Sequence, residues 1–181
     1  MSPSNRLPVV GVMGSSTEAH EDLAEPLGRY LAGLDVHLLN GGGRGAMTAV
    51  SRAFAGVPGR RGLVVGILPG EALGIGLDTW PGYPNPFVDI PIYTHLPLSG
   101  IDGADSRSRN HINILSSDVV IALPGSEGTR SEVELAVRYG KPVIAYFGGV
   151  AVDWPVPQGV PVGRTLAEVQ AFVEQHLPRR S

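Results

Sequence analysis

Cysteine is absent from the 181 residues, which excludes disulfides and thiolate metal ligands. Lysine is nearly absent: Lys141 is the sole one among fourteen basic residues. A pyridoxal-phosphate enzyme needs a lysine for its Schiff base, and a Walker A loop needs Gly-Lys-Ser/Thr. Lys141 is followed by Pro142 and supplies neither context. Charged residues make up 17% of the chain, and the net charge is −3 with a pI near 5.9. No general basic field is available to attract a polyanion, so nucleic acid is not expected as a partner and any anion site must be local. The five histidines, at positions 20, 37, 95, 111 and 176, lack helical or hairpin ligand spacing, and no protein-ligated metal is expected.

Long apolar runs are missing too. The run from Leu7 to Met13 is far too short to span a membrane and has no small-residue cleavage site after it, so the expectation is a cytoplasmic protein without a membrane partner. What remains is a globular composition, 43% hydrophobic with a mean hydropathy of +0.09. The length suits one domain, with residues 1–6 and 178–181 expected as flexible termini and no cofactor required for folding.

Short β-rich runs at 8–13, 36–40, 63–68, 89–93, 118–123 and 142–147 alternate with helical patterns at 20–34, 45–55, 104–116, 130–139 and 165–177. Val119–Leu123 and Val143–Phe147 are continuously apolar, as parallel strands covered on both faces should be. The pattern predicts an α/β fold: one doubly wound, Rossmann-like domain with a mainly parallel sheet. Pro26 predicts a kink in the first helix or a start close to it. The Pro- and Gly-rich stretch 69–100 reads as a long excursion around an edge strand. Its Trp80, Tyr83, Phe87, Tyr93 and His95 suit either stacking on a heterocycle or packing the loop down.

Three glycine-rich turns follow strand candidates: Gly11–Thr17, Gly41–Ala46 and Pro124–Thr129. In a parallel sheet all three leave the carboxyl ends of strands and can converge on one crevice. Glycine lets backbone N–H groups approach an anion, and the following helix start adds unpaired donors. The candidate ligands of a phosphate are therefore Gly14, Ser15, Gly42, Gly43, Gly125, Ser126, Gly128 and Thr129. Gly41, Gly43 and Ala46 match G-x-G-x-x-A, but they follow the second strand and lack the acidic residue about 20 positions on that a dinucleotide site needs.

Arg109 stands three residues before Ile112, which on a helix places it toward the packed side, where a guanidinium needs an anion. That anion is Glu132, a ligand phosphate, or both. Thr129-Arg130-Ser131-Glu132 also reads as a capping box, with Thr129 capping the helix and Glu132 reaching back. Ser126, Asp153 and His176 occur in the order of a hydrolase triad, although Pro124 stands where the nucleophile elbow needs its first glycine. His111 and Arg44 lie where they could touch a ligand edge, and Arg107 reads as a solvated helix residue.

Pro124-Gly125-Ser126-Glu127-Gly128-Thr129-Arg130-Ser131-Glu132, preceded by Arg109, resembles the P-G-G-x-G-T-x-x-E mark of the LOG-like superfamily, often labelled "possible lysine decarboxylase". The similarity runs from the Gly11–Ser16 turn to Lys141-Pro142-Val143. One branch contains LONELY GUY-type phosphoribohydrolases, which cleave the N-glycosidic bond of a nucleoside 5′-monophosphate. That likeness implies Arg109 and Glu132 as a catalytic pair. Another branch resembles molybdenum cofactor carrier proteins, in which an Arg-Asn pair followed by Ile/Val-Asn replaces the hydrolases' Arg-Lys. Arg109-Asn110-His111-Ile112-Asn113 is similar to this second pattern, and Ser126 departs from the motif's second glycine. The resemblance thus implies a phosphorylated small molecule as partner, the molybdenum cofactor first and a nucleoside monophosphate second, with Asn110 among the binding residues. It also implies a homodimer or larger homo-oligomer.

Overall fold

A computed structural model describes residues 6–70 and 81–178, so Trp80 and most of both termini lie outside the described residues. Seven strands form one parallel sheet in the order β4-β3-β2-β1-β5-β6-β7. They are β1 Val9–Met13, β2 His37–Asn40, β3 Val64–Leu68, β4 Ile90–Tyr93, β5 Val119–Ala122, β6 Val143–Tyr146 and β7 Val162–Gly163. The helices are α1 Glu21–Ala32, α2 Ala46–Ala55, α3 Asn110–Ser116, α4 Glu127–Arg138 and α5 Leu166–His176. This is the single α/β, Rossmann-like domain that the strand–helix alternation implied.

Successive strand residues feed opposite faces, and the apolar runs fill two cores accordingly. Val119 and Ile121 pack with Leu27 and Leu31 of α1, Phe54 of α2 and Val169 of α5. Val120 and Ala122 pack with Ile114 of α3, Val133 of α4 and Trp154. The five central strands, β1, β2, β3, β5 and β6, place apolar residues in both cores because both of their faces are covered, whereas Ile90, Ile92 and Tyr93 of the edge strand β4 are exposed.

Two helix starts differ from the sequence reading by three residues or more. Helix α3 starts at Asn110 rather than 104, because Asp105 accepts from the Arg107 amide at 2.8 Å and Ser108 from the Asn110 amide at 3.2 Å, which turns that stretch into side-chain-bonded loop. Arg109 is thus the residue before the helix, not part of its packed face. Helix α4 begins at Glu127, three residues early, so Thr129 lies inside its first turn and the expected capping box does not form. A capping box is found instead at α5, where Thr165 and Glu168 bond reciprocally. Helix α1 starts at Glu21 and runs through Pro26. The short β7 went unseen because two residues carry no periodicity.

The chain moves outward from β1 through β2, β3 and β4, then returns to lay β5 on the other side of β1. The strand order reverses between β1 and β5. Loops leaving the carboxyl ends of those two strands diverge there, and such a switch point is where open α/β sheets form their ligand crevice.

Candidate functional site

A cavity of about 130 Å³ opens at this switch point. Gly14, Ser15 and Ser16 enter it from the loop after β1, and Ser126, Gly128, Thr129 and Glu132 from the start of α4. Arg109 and Asn110 come from the start of α3, Met47 from α2, Tyr83 from the excursion before β4, and Ser99 and Gly100 from the loop before α3. Seven of the sequence candidates therefore meet here, Gly14, Ser15, Arg109, Asn110, Ser126, Gly128 and Thr129, together with Glu132.

Gly42, Gly43 and Gly125 are not in the wall. The Gly42 amide donates to Asn40 Oδ1 at 2.7 Å and is not free to meet an anion. The Gly43 carbonyl accepts from Thr48 Oγ1 at 2.9 Å and Asn85 Nδ2 at 3.1 Å. Gly125 stands behind the helix start, its carbonyl accepting from Trp154 Nε1 at 2.8 Å. That bond pins the loop, since Trp154 is itself buried edge-on against Phe147.

The amides of Glu127, Gly128 and Thr129 are the first three of α4, and no described protein group accepts from them. A helix start leaves such donors unpaired by construction, and the aligned peptide dipoles add partial positive charge there. Beside them lies Arg109, 5% exposed, with Nε and Nη1 buried and unpartnered. Glu132, also buried, forms no direct ion pair with Arg109 among the described residues. Its Oε1 accepts instead from Asn113 Nδ2 at 3.0 Å. Burial pushes the Glu132 carboxyl up to about 7, and the opposing pulls of Arg109 and the Asn113 donor are smaller. The cavity therefore holds a fixed cation, free amides and a carboxyl poised near neutrality, an arrangement that attracts an anion.

Asn110 binds sideways, Nδ2 donating to Ser131 Oγ at 3.1 Å and tying α3 to α4. His111 faces away from the cavity: its Nδ1 accepts from the Tyr139 hydroxyl at 2.7 Å and its Nε2 donates to the Asp105 carbonyl at 3.0 Å. The triad does not form, for His176 Nδ1 donates within its own helix to the Phe172 carbonyl at 2.8 Å. Arg107 bonds Asp105 on the surface. Among the described residues no helix is long and apolar enough to cross a membrane, and no group of three His, Asp or Glu side chains could hold a metal.

Met47 was missed by sequence reasoning and nothing in its local pattern marks it, whereas Ser16 lies in the Gly11–Thr17 turn and Ser99 and Gly100 close the 69–100 excursion without having been singled out. Asn113 could have been found: it is the last residue of the Arg-Asn-x-Ile-Asn pattern, and it is the one that holds Glu132.

Fold and cavity together define a Rossmann-type α/β protein with a crevice at its switch point, lined by a buried guanidinium and the unpaired start of α4. Within that class the chain belongs to the SLOG cluster4 family, which residues 7–170 match. It is 31% identical over 151 residues to an uncharacterized protein of Archaeoglobus fulgidus, covering 82% of this chain and 85% of that one. Among solved structures it resembles the molybdenum cofactor carrier protein of Chlamydomonas reinhardtii, with 31% identity, a TM-score of 0.68, and 94% of this chain and 98% of that one covered. It also resembles the molybdenum cofactor binding protein of the phototrophic bacterium Rippkaea orientalis, with 32% identity, a TM-score of 0.62, and 96% and 86% covered.

Proposed function

We propose that the chain binds a phosphorylated, nucleotide-like small molecule in the switch-point cavity, and that the ligand is the molybdenum cofactor, held as cargo rather than turned over. The observation that carries this reading is the buried Arg109 guanidinium, two of whose nitrogens lack a partner beside three unused amides of α4. Burying a cation alone is unfavourable by several kcal/mol. A phosphate accepts from guanidinium and amides together and relieves that cost. A volume of about 130 Å³ is close to the roughly 150 Å³ that admits a benzene-sized ring, so the phosphate end fits inside. The rest of a pterin, which brings its own dithiolene sulfurs and asks for no cysteine, extends past the exposed Ser16 and Ser99. The likeness to two proteins described as cofactor carrier and cofactor binder supports the same choice. This reading carries with it a cytoplasmic homodimer or larger assembly.

The test is to incubate the protein with cofactor released from a molybdoenzyme, desalt it, and measure retained molybdenum and pterin fluorescence. Near-stoichiometric retention is expected, weakened by Arg109→Ala and Thr129→Val. No retention at near-millimolar ligand removes the proposal.

One observation favours a second reading, hydrolysis of a nucleoside 5′-monophosphate: Glu132 shares the cavity with Arg109 and titrates near neutrality. A carboxylate there can activate water or stabilise an oxocarbenium-like ribosyl centre. Release of free base and ribose 5-phosphate from a panel of nucleoside monophosphates, abolished in Glu132→Ala, would replace the carrier reading with this one.

A further inference from the structure

The glycine turn after β2 faces two side chains rather than the cavity. A Cβ at Gly41 would fall 2.8 Å from Arg109 Cζ, and one at Gly43 would fall 2.6 Å from Tyr83 Cζ. Arg109 Cζ itself lies over the Tyr83 ring, 5.9 Å from its centroid. The guanidinium thus packs against the Gly41 backbone and lies over the phenol ring, whose hydroxyl end rests on Gly43. Asn85, two residues beyond Tyr83, stitches the loops together: its amide donates to the Gly42 carbonyl at 2.7 Å and its Nδ2 to the Gly43 carbonyl at 3.1 Å.

Stacking has a particular consequence for a ligand-binding arginine. A carboxylate partner would fix the guanidinium by consuming its N–H donors, whereas a ring and a peptide plane fix it and consume none. Nε and Nη1 are buried yet unpartnered in this way. We propose that Tyr83 is a positioning residue of the anion site: with Gly41 as floor, it holds the Arg109 guanidinium in the cavity wall with its donors kept for a phosphomonoester. The described turn carrying Tyr83 and Asn85 is then part of the ligand site, and Gly41 and Gly43 serve this packing rather than the phosphate. The inference rests on the anion-binding reading above.

Isothermal titration of inorganic phosphate and of adenosine 5′-monophosphate, into wild type and the Tyr83→Phe, Tyr83→Ala and Gly41→Ala variants, tests it. Tyr83→Phe keeps the ring and should bind both within twofold of wild type. Tyr83→Ala and Gly41→Ala should weaken both ligands about tenfold or more, with the melting temperature of Tyr83→Ala changed by only a few degrees. The Arg109 Nε–H resonance provides a readout that needs no ligand. It should be shifted by the ring and slow to exchange in wild type and Tyr83→Phe, and lose both properties in Tyr83→Ala. Wild-type phosphate affinity in Tyr83→Ala, or a loss confined to adenosine monophosphate, would overturn the proposal, the latter making Tyr83 a wall for the ligand's ring. If wild type bound neither ligand, the functional reading would fall, and an unchanged Nε–H resonance in Tyr83→Ala would then sink the stack on its own.

Discussion

Replacing Glu132 with glutamine should change how stability depends on pH. The glutamine keeps the shape and the acceptor that Asn113 uses, and removes only the ionisation. In the folded chain burial raises the carboxyl from 4.5 to about 7, whereas in the unfolded chain it titrates near its ordinary value. A folded-state value above the unfolded one means that the contribution is fully present below about pH 4.5. It is lost progressively as pH rises to about 7, and changes no further above that. A shift of that size corresponds to roughly 3 kcal/mol. Urea unfolding of wild type and Glu132→Gln at pH 4.5, 6 and 8 is the assay, because the difference between the two cancels every other titrating group. Wild type should lose roughly 3 kcal/mol relative to the variant across that window. Two curves that stay parallel from pH 4.5 to 8 would refute the buried, near-neutral carboxyl.

Other substitutions probe the scaffold and the cation. Gly28→Ala places a Cβ 2.5 Å from the Val50 carbonyl oxygen and 2.9 Å from Ala53 Cβ where α1 meets α2, and should destabilise by about 1–3 kcal/mol in urea melts. Thr165→Ala removes the capping box of α5 and should cost about 1 kcal/mol, read as a lower urea midpoint at unchanged slope. Arg109→Lys keeps the charge but loses the planar fork and its stack on Tyr83, so calorimetry should find phosphate binding about tenfold or more weaker than in wild type.

The strands were legible because five of the six long enough to carry a pattern, β1, β2, β3, β5 and β6, supply apolar residues to both cores, a signature of buried parallel sheet, while the exposed edge strand β4 showed only as a short β-rich run. Val162–Gly163 carried none, since two residues cannot show a period and Val162 is half exposed. Helix starts were less legible. The polar side chains of Asp105 and Ser108 compete for backbone amides and delay α3, while α4 begins at Glu127 and its N-cap Ser126 makes no side-chain capping bond. Much of the site was visible in the turns after β1 and β5, because glycine beside a helix start has a local physical meaning. The turn after β2 misled for the same reason: its glycines make room for a close approach, but what approaches is Arg109 and Tyr83, from distant stretches of chain. Spacing along a sequence cannot reveal which partner a glycine admits. Met47 and Ser99 reach the cavity through tertiary placement alone.

The central claim is that the free amides at the start of α4 and the Arg109 guanidinium make one pocket for a phosphoryl group. Titrating a phosphomonoester into ¹⁵N-labelled protein while following backbone resonances tests it most directly. The amides of Glu127, Gly128 and Thr129 and the Arg109 side chain should shift together, saturate at one common affinity, and stop responding in Arg109→Ala. Saturable binding that leaves those amides unmoved, or that persists unchanged in Arg109→Ala, would contradict it.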